Sequence, residues 1–186
     1  MSPLIINGSS EKELITAAIE GDRIAQKEIY AMYSGKMMAI CSRYTRHRAE
    51  AEDIFQDAFV KVFIHLEDFK FIGSFEGWIR RIMIYTALKN AEKKSNANED
   101  IGIEDTYENF SEPEIISELS EEEITKLINK LPEGYRKVFN LYVIDGYSHK
   151  EIAEMMQIGE ATSRSQLLKA RRMLQEKVTD LYKIAG

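Results

Sequence analysis

The sequence predicts an all-α protein, with two small helical domains joined by an acidic linker. Apolar residues recur at the spacing of an α-helix on both sides of the middle of the chain, and no segment shows the alternation of a half-buried strand. Proline is scarce, at 3 of 186 residues, so long helices are permitted. Between the two helical segments lies a stretch rich in acidic residues, Asn and Ser, whose apolar residues follow no period.

The charge of the chain is unevenly distributed, and its distribution marks the domain boundaries. Residues 1–94 carry a formal charge of +1, residues 95–125 carry −11, and residues 126–186 carry +4. The acidity therefore comes from one segment, while both flanks are mildly basic. We predict a first domain over residues 1–94, a flexible linker over 95–119 and a second domain over 120–186.

The first domain has the signals of a helical bundle. Ser10 and Glu13 form a capping box, in which each side chain accepts a hydrogen bond from a backbone amide that the helix start leaves free. A later helix carries an apolar stripe at i, i+3, i+4, i+7 spacing. The members of this stripe are Ile54, Phe55, Ala58, Phe59, Val62, Phe63 and Leu66. A fourth helix is predicted over residues 76–94.

The second domain contains a helix-turn-helix pattern. A short helix opens at Ser148 and ends near Gln157, and after a turn a long helix runs over residues 160–182. The outward face of the long helix carries Arg164, Ser165, Leu168, Lys169, Arg171 and Arg172. A basic helix of this kind can enter the DNA major groove, which is about 12 Å wide. An ordinary helical hairpin with a solvated basic face is the alternative interpretation.

Two residues depart from the usual helix-turn-helix pattern. Gln157 occupies a turn position where glycine would adopt a left-handed conformation more easily. Ser163 lies where a buried Val or Ile is usual.

The sequence contains no pattern of a catalytic or metal site. Cys41 is the only cysteine, and His47, His65 and His149 are far apart, with His149 expected to be exposed. There is no phosphate-binding glycine loop and no metalloprotease motif. We therefore expect no enzymatic activity, no cofactor and no small-molecule substrate. No apolar run approaches the roughly 20 residues that span a bilayer, and residues 1–8 lack a secretory leader, so a cytoplasmic protein is expected.

Five motifs carry a resemblance to a known family. In chain order they are Ala51–Phe59 (AEDIFQDAF), Trp78–Ile82 (WIRRI), Leu131–Phe139 (LPEGYRKVF), Gly146–Ala153 (GYSHKEIA) and Lys169–Arg171 (KAR). Their order and spacing resemble those of the extracytoplasmic-function (ECF) sigma factors of the sigma-70 family. The resemblance covers about residues 12–95 and 120–180.

The resemblance implies a factor that binds core RNA polymerase and directs it to promoter DNA. Asp53, Gln56 and Asp57 would dock on the clamp helices of the largest polymerase subunit, and the flap of the polymerase is a second contact. Helical spacing allows all three side chains to point away from the apolar stripe, although an ordinary solvated helix face would look the same. Some members of the family are held inactive by an anti-sigma protein, which is a further partner that the resemblance allows.

The resemblance also implies two DNA sites. The melted minus-ten strand would be bound by Phe75, Trp78, Arg80, Arg81, Tyr85 and Lys89, with aromatic faces stacking on exposed bases. The alternative is that Phe75 and Trp78 are mostly core. Tyr85 stands where many relatives carry Asn, which leaves the base preference open. The minus-thirty-five element would be contacted by Arg164, Ser165, Leu168, Lys169 and Arg171.

Alternative interpretations remain open for the linker and for the chain as a whole. The linker would occupy the RNA exit path of the polymerase, or it is a solubilising tether. Instead of a sigma factor, the chain is alternatively a stand-alone helix-turn-helix regulator, or a protein-interaction module without DNA affinity. The helix that carries Asp53, Gln56 and Asp57 beside the Trp78 region separates the sigma factor from the simple regulator, which needs neither.

Overall fold

In a computed structural model, the backbone is described for residues 5–6, 9–97 and 121–185, and the side chains for residues 10–91 and 123–180. The predicted acidic linker lies outside the described residues beyond its first three positions. The described elements are helical apart from a two-residue antiparallel pairing, in which Ile5 lies opposite Ser10. The all-α prediction is confirmed.

The chain divides into two compact units, Met1–Lys93 and Lys94–Gly186. The helices are α1 (Glu11–Ile19), α2 (Arg23–Tyr44), α3 (Arg48–Ile64), α4 (Phe75–Ala97), α5 (Glu121–Asn129), α6 (Glu133–Phe139), α7 (His149–Met156) and α8 (Glu160–Ala185). A 3₁₀ turn, Leu66–Asp68, follows α3, and a π-helical segment, Asn140–Ile144, continues α6.

In the first unit, α2 packs against both α1 and α3. The predicted capping box of α1 is present, with the Ser10 side chain accepting from the Glu13 amide and the Glu13 side chain accepting from the Ser10 amide. The predicted stripe of α3 is buried against Tyr30 of α2, whose ring lies 4.8 Å from that of Phe59. Burying an aromatic side chain of this kind contributes roughly 1.5–3 kcal/mol, so this stripe fixes which face of α3 points outward.

Helix α4 starts one residue earlier than predicted and is capped by Ser74. The Ser74 hydroxyl accepts a hydrogen bond from the Gly77 amide at 3.1 Å, which satisfies one of the amides that a helix start leaves free. The buried side of the helix repeats about every four residues. Buried residues at this spacing are Phe75, Ile79, Met83, Ala87 and Ala91.

In the second unit, α8 packs against α5, α6 and α7. The capping box at the start of α7 is present, with Ser148 and Glu151 bonded to each other's backbone amides. Gln157 has a φ of 54°, so it adopts the left-handed conformation that the sequence required at this turn. The α7–turn–α8 geometry predicted as a helix-turn-helix is therefore formed, although the residue in its turn is not glycine.

The backbone continues from α6 with a different hydrogen-bond pattern. After Phe139 the backbone follows a π-helical path to Ile144, and the Asp145 amide donates to the carbonyl of Asn140 at 2.9 Å. Single π turns of this kind occur inside or at the end of α-helices and re-aim the side chains that follow. Gly146, two residues after the end of the segment, has a φ of 78°.

Candidate nucleic-acid interface

The outer face of α4 carries an alternating series of aromatic and basic side chains. Trp78, Arg81, Tyr85 and Lys89 are spaced i, i+3, i+7 and i+11, which places them in one row along the helix. The guanidinium carbon of Arg81 lies 5.7 Å from the centroid of the Tyr85 ring. Lys89 is exposed, and the two aromatic rings are partly exposed. We call these four residues the α4 row; it combines surfaces for stacking with cations for phosphates.

Trp78 is held from below by two phenylalanines. The Phe75 ring stacks nearly parallel to the indole, at 5.8 Å and 13°, and the Phe69 ring lies 5.6 Å from it. Phe75 itself is only 1% exposed, so the structure places it in the core, beneath Trp78. Among the residues assigned to the minus-ten site, Phe75 thus supports the row without belonging to its surface.

Arg80 points to a different side of α4. Its guanidinium lies 3.7 Å from the Glu76 carboxylate, which also pairs with Lys36 of α2 at 2.7 Å. The structure therefore brings four of the six minus-ten candidates together and separates Phe75 and Arg80 from them.

The loop before α4 presents an apolar side chain that sequence reasoning missed. Ile72 is 87% exposed. Its neighbour Phe71 has a φ of 58°, a conformation that bulky residues rarely adopt, and its ring contacts Phe69 at 5.1 Å and lies under the Lys12 ammonium at 5.6 Å. The signal in the sequence was an Ile directly before Gly73, at the end of a loop that already carries Phe69 and Phe71.

The outward face of α3 carries the three residues assigned to polymerase binding. Asp53, Gln56 and Asp57 are exposed on consecutive turns. Asp57 pairs with Lys61 at 2.7 Å, and the amide of Gln56 lies 3.5 Å from the Tyr30 hydroxyl. The same face continues with apolar residues one and two turns further along.

These apolar residues are Val60 and Ile64, which are exposed although they follow the acidic positions at helical spacing. Solvated helix faces normally carry polar residues at such positions. The α3 face, which we define as Asp53, Gln56, Asp57, Val60 and Ile64, is thus acidic at one end and apolar at the other.

Helix α8 presents three of its five candidate residues to solvent. Arg164, Leu168 and Arg171 are exposed and spaced i, i+4 and i+7, so they share one face. Leu168 is 56% exposed, which is unusual for a leucine on a basic helix face. Arg164 is paired with the carboxylate of Glu160 in the preceding turn.

The other two candidates on α8 are less accessible. The hydroxyl of Ser165 donates to the carbonyl of Thr162 at 3.0 Å. The ammonium of Lys169 lies 6.0 Å above the ring of Tyr135 in α6, and the residue is partly buried. Both therefore lie beside the exposed row of α8 instead of within it.

His149 is not the exposed residue that the sequence suggested. Its ring is partly buried, stacks on Tyr142 at 4.4 Å, and has Nδ1 2.9 Å from the hydroxyl of Ser163. Burial, aided by the positive charges of Arg164 and Arg171 and opposed by Glu160, lowers the pKa of His149 below its ordinary value. The expectation of an exposed histidine failed because its partner lies on the next helix.

The described residues offer little for covalent or metal chemistry. Burial raises the pKa of the Cys41 thiol to about 12, and its sulfur lies 3.9 Å from that of Met83 in the core. Within the described ranges, no three His, Cys, Asp or Glu side chains are grouped as metal ligands would be. None of the helices described is long and apolar enough to cross a membrane.

Comparison with known proteins gives a consistent assignment. The family model of Sigma-70 region 2 matches residues 29–96, and that of Sigma-70, region 4 matches residues 121–174. The ECF RNA polymerase sigma-E factor of Haemophilus influenzae is 30% identical to this chain, over 92% of the chain and 97% of the relative. The chain belongs to the ECF sigma factors of the sigma-70 family.

Other relatives agree with this assignment. The ECF RNA polymerase sigma-E factor of Escherichia coli is 28% identical over 94% of this chain and 97% of its own length. The RNA polymerase sigma-H factor of Pseudomonas aeruginosa is 25% identical over 97% of this chain and all of its own length. As an ECF sigma factor, the protein acts in the initiation of transcription.

Two solved structures have a similar fold. CnrH, solved in complex with the cytosolic domain of CnrY, matches with a TM-score of 0.51 and 18% identity, over 91% of this chain and 97% of CnrH. The sigma factor RpoE of Bartonella quintana, solved with the anti-sigma factor NepR, matches with a TM-score of 0.50 and 20% identity, over 81% of this chain and 94% of RpoE.

Proposed function

We propose that this ECF sigma factor divides its tasks among three surfaces. The α3 face holds core RNA polymerase, the α4 row holds the melted non-template strand of the minus-ten element, and the exposed row of α8 contacts the minus-thirty-five duplex. The corresponding domains span residues 1–94 and 120–186, with residues 95–119 as the linker. The protein carries out no chemistry itself and works in the cytoplasm with the polymerase.

The α4 row is the observation that carries this proposal. A helix that only packs in a bundle has no need for an aromatic–cation–aromatic–cation series on its solvent side. Single-stranded DNA, in contrast, is bound by stacking of bases on aromatic rings, with cations along the backbone. Because the bases of a duplex are already stacked, such a surface favours the melted state over the closed one.

The exposed row of α8, which consists of Arg164, Leu168 and Arg171, supports the assignment of the duplex site. Arg164 and Arg171 lie on one face, where they can neutralise phosphates or donate to guanine edges. The exposed Leu168 between them fits contact with a thymine methyl group, since that group is the apolar feature of the major groove.

The α3 face suits one protein partner, core polymerase, and the similarity to a solved relative suggests a second. Its acidic end, Asp53 to Asp57, suits basic groups on the polymerase, and its apolar end, Val60 and Ile64, suits a contact from which water is excluded. We also infer that an anti-sigma protein is a partner, by analogy with the Bartonella RpoE, which was solved with the anti-sigma factor NepR. Such a protein would block transcription if it covered the same face.

Run-off transcription with purified core polymerase tests the proposed function. We expect core polymerase with this chain to start transcripts at defined sites on genomic fragments, and the chain alone to bind duplex DNA weakly. The control is core polymerase without the chain. Tight and specific duplex binding by the free chain would instead favour a stand-alone regulator, and the absence of DNA affinity with polymerase present would favour an interaction module.

Replacing Glu160 by glutamine should strengthen binding of the holoenzyme to the minus-thirty-five duplex. Glu160 pairs with Arg164 and places a negative charge beside the phosphates, so its removal frees the arginine. We expect a gain of about two- to fivefold, the range of an exposed ion pair. Titration of a labelled promoter duplex with holoenzyme measures this gain.

Glu176→Gln is the matched control. Glu176 forms the same kind of i, i+4 pair with Arg172, at 3.1 Å, but lies more than four turns further along α8. We expect its replacement to leave duplex affinity unchanged. Equal gains for both variants would mean that only the net charge matters, and the position of Arg164 at the DNA would be wrong.

A further inference from the structure

Ser163 is a buried polar residue at a place where an apolar one is expected. It lies in the first turn of α8 and is 0% exposed. A hydroxyl in such a position is unfavourable unless it forms a hydrogen bond. Its partner is Nδ1 of His149, at 2.9 Å. Two polar side chains, Ser163 and His149, thus meet at a helix contact where two apolar side chains would be usual.

His149 connects three successive elements of the second unit. It is the first residue of α7, its Nδ1 contacts Ser163 of α8, and its ring stacks at 4.4 Å and 21° on Tyr142 of the π-helical segment. The stack with Tyr142 is at a face of the imidazole ring, and the hydrogen bond with Ser163 is at its edge. This imidazole therefore joins both α8 and the π-helical segment to the start of α7.

The same imidazole lies in the electrostatic field of the proposed DNA-contact residues. Arg164 and Arg171 of α8 disfavour its charged form, whereas Glu160 of α8 favours it. On its own helix, Lys150 is adjacent, and the Glu151 carboxylate is bonded to Ser148 at 2.8 Å. From the π-helical segment, the ring of Tyr142 faces it.

We propose that His149 and Ser163 form a proton-linked positioning pair, which sets the recognition helix and takes up a proton when the minus-thirty-five duplex binds. This rests on the proposed function, in which α8 contacts DNA. Burial disfavours the charged form of the imidazole, and repulsion from Arg164 and Arg171 adds to this effect. Phosphates beside these two arginines would offset the repulsion. The imidazolium then donates from Nδ1 to Ser163, and a charge-assisted bond is stronger than a neutral one.

The sign of the pH effect follows from the two states. In the free chain the pKa of His149 is lowered, so the ring is neutral at pH 7 and above. In the complex the phosphates raise that pKa, so binding takes up a proton. The affinity for DNA must then rise as the pH falls from 8 to 6, up to about tenfold for each unit by which the two pKa values differ.

The test measures the affinity of the holoenzyme at pH 6, 7 and 8 and constant ionic strength. The probe is a promoter duplex whose sequence is recovered from DNA that co-purifies with the holoenzyme. It is truncated immediately downstream of the minus-thirty-five element, so that it lacks the minus-ten element. We compare the natural chain with His149→Gln, which retains a hydrogen-bonding side chain but does not titrate. A third chain, with His149→Phe and Ser163→Val together, replaces the polar pair by an apolar one and retains a ring against Tyr142.

For the natural chain we expect the ratio of affinities at pH 6 and pH 8 to exceed that of both variants by about three- to tenfold. Equal ratios in all three would overturn the proposal. Arg171→Ala separates this failure from that of the proposed function, because it should weaken binding at every pH. If Arg171→Ala has no effect, α8 does not contact the duplex, and the proposal falls with that assignment.

A direct titration keeps the test independent of variant folding. The chain has three histidines, and His149→Gln identifies the imidazole signal of His149 in the NMR spectrum of the labelled full chain. We expect the pKa of His149 to rise when the same duplex is added at low salt. An unchanged pKa in a saturated complex would contradict the proton linkage.

Discussion

Replacing Asp53 and Asp57 by lysine is expected to abolish assembly with core polymerase while leaving the fold intact. Both carboxylates are exposed on α3, on the side opposite its buried aromatic stripe, so neither supports the core. The double change removes the surface ion pair of Asp57 with Lys61, and an exposed pair of this kind contributes little to stability. Opposing like charges across an interface costs several kcal/mol, which corresponds to a decrease in affinity of about 100-fold or more.

The assembly prediction is measured by titrating labelled core polymerase with each chain. The control is a charge-matched chain with Glu20→Lys and Glu67→Lys, since both residues are exposed in the same unit but lie outside α3. We expect this control to bind core polymerase as the natural chain does, and all three chains to have the same circular dichroism. If both double variants bound core polymerase equally weakly, the effect would be one of net charge alone. If the variant with Asp53 and Asp57 replaced bound as the natural chain does, the polymerase contact would lie elsewhere.

A further double variant separates the two ends of the α3 face. Val60 and Ile64 are exposed, so replacing both by serine should leave the helix stable. If polymerase covers the apolar end, we expect the dissociation rate to increase by a larger factor than the association rate decreases. Charges mainly set the association rate, whereas buried apolar area mainly sets the dissociation rate. Dissociation that remains unchanged would limit the polymerase contact to the acidic end.

Local signals in the sequence were sufficient to predict most of the fold. The capping box at Ser10, the helix start at Ser148 and the apolar stripe of α3 depend on residues within one or two turns, and all three are confirmed. The left-handed turn also follows from spacing, because a helix pair with so short a connection forces Gln157 into that region whatever its side chain. The pairing of Ile5 with Ser10 was not predicted, although the Asn7-Gly8 dipeptide between them is a strong signal for a two-residue hairpin.

The surface of the candidate sites was harder to predict than the fold. Helical spacing separates Arg80 from the row of Trp78, Arg81, Tyr85 and Lys89, but motif matching grouped all of them. The burial of Phe75 depends on Tyr33, 42 positions earlier, whose ring lies 5.6 Å away, so no local pattern reveals it.

The partners of two residues in the second unit also depend on tertiary contacts. The contact between His149 and Ser163 joins residues 14 positions apart across a turn. Each residue looked like an isolated departure in the sequence, an exposed histidine and an unusual serine. Only their distance in the fold shows that they compensate for each other.

Replacing Trp78 by alanine is expected to block promoter opening without preventing the formation of holoenzyme. The indole is partly exposed and lies on Phe75 and Phe69, which hold it at the surface of α4. Stacking of one base on an aromatic ring contributes about 1–3 kcal/mol, so its removal should lower the equilibrium constant for promoter opening by about 5- to 150-fold, and with it the fraction of open complex. Permanganate reactivity of thymines in the melted region measures this fraction, and pull-down of core polymerase should be unchanged.

Two controls separate a loss of stacking from damage to the first unit. Trp78→Phe retains an aromatic face above Phe75, so it should restore most of the open complex. A template with a mismatched bubble over the melted region no longer requires strand separation, so the alanine variant should transcribe it at nearly the natural rate. If the bubble template gives no rescue while Trp78→Phe folds normally, then Trp78 serves only the packing of α4. In that case the bases would have to be held by the remaining members of the row, beginning with Tyr85 and its Arg81 neighbour.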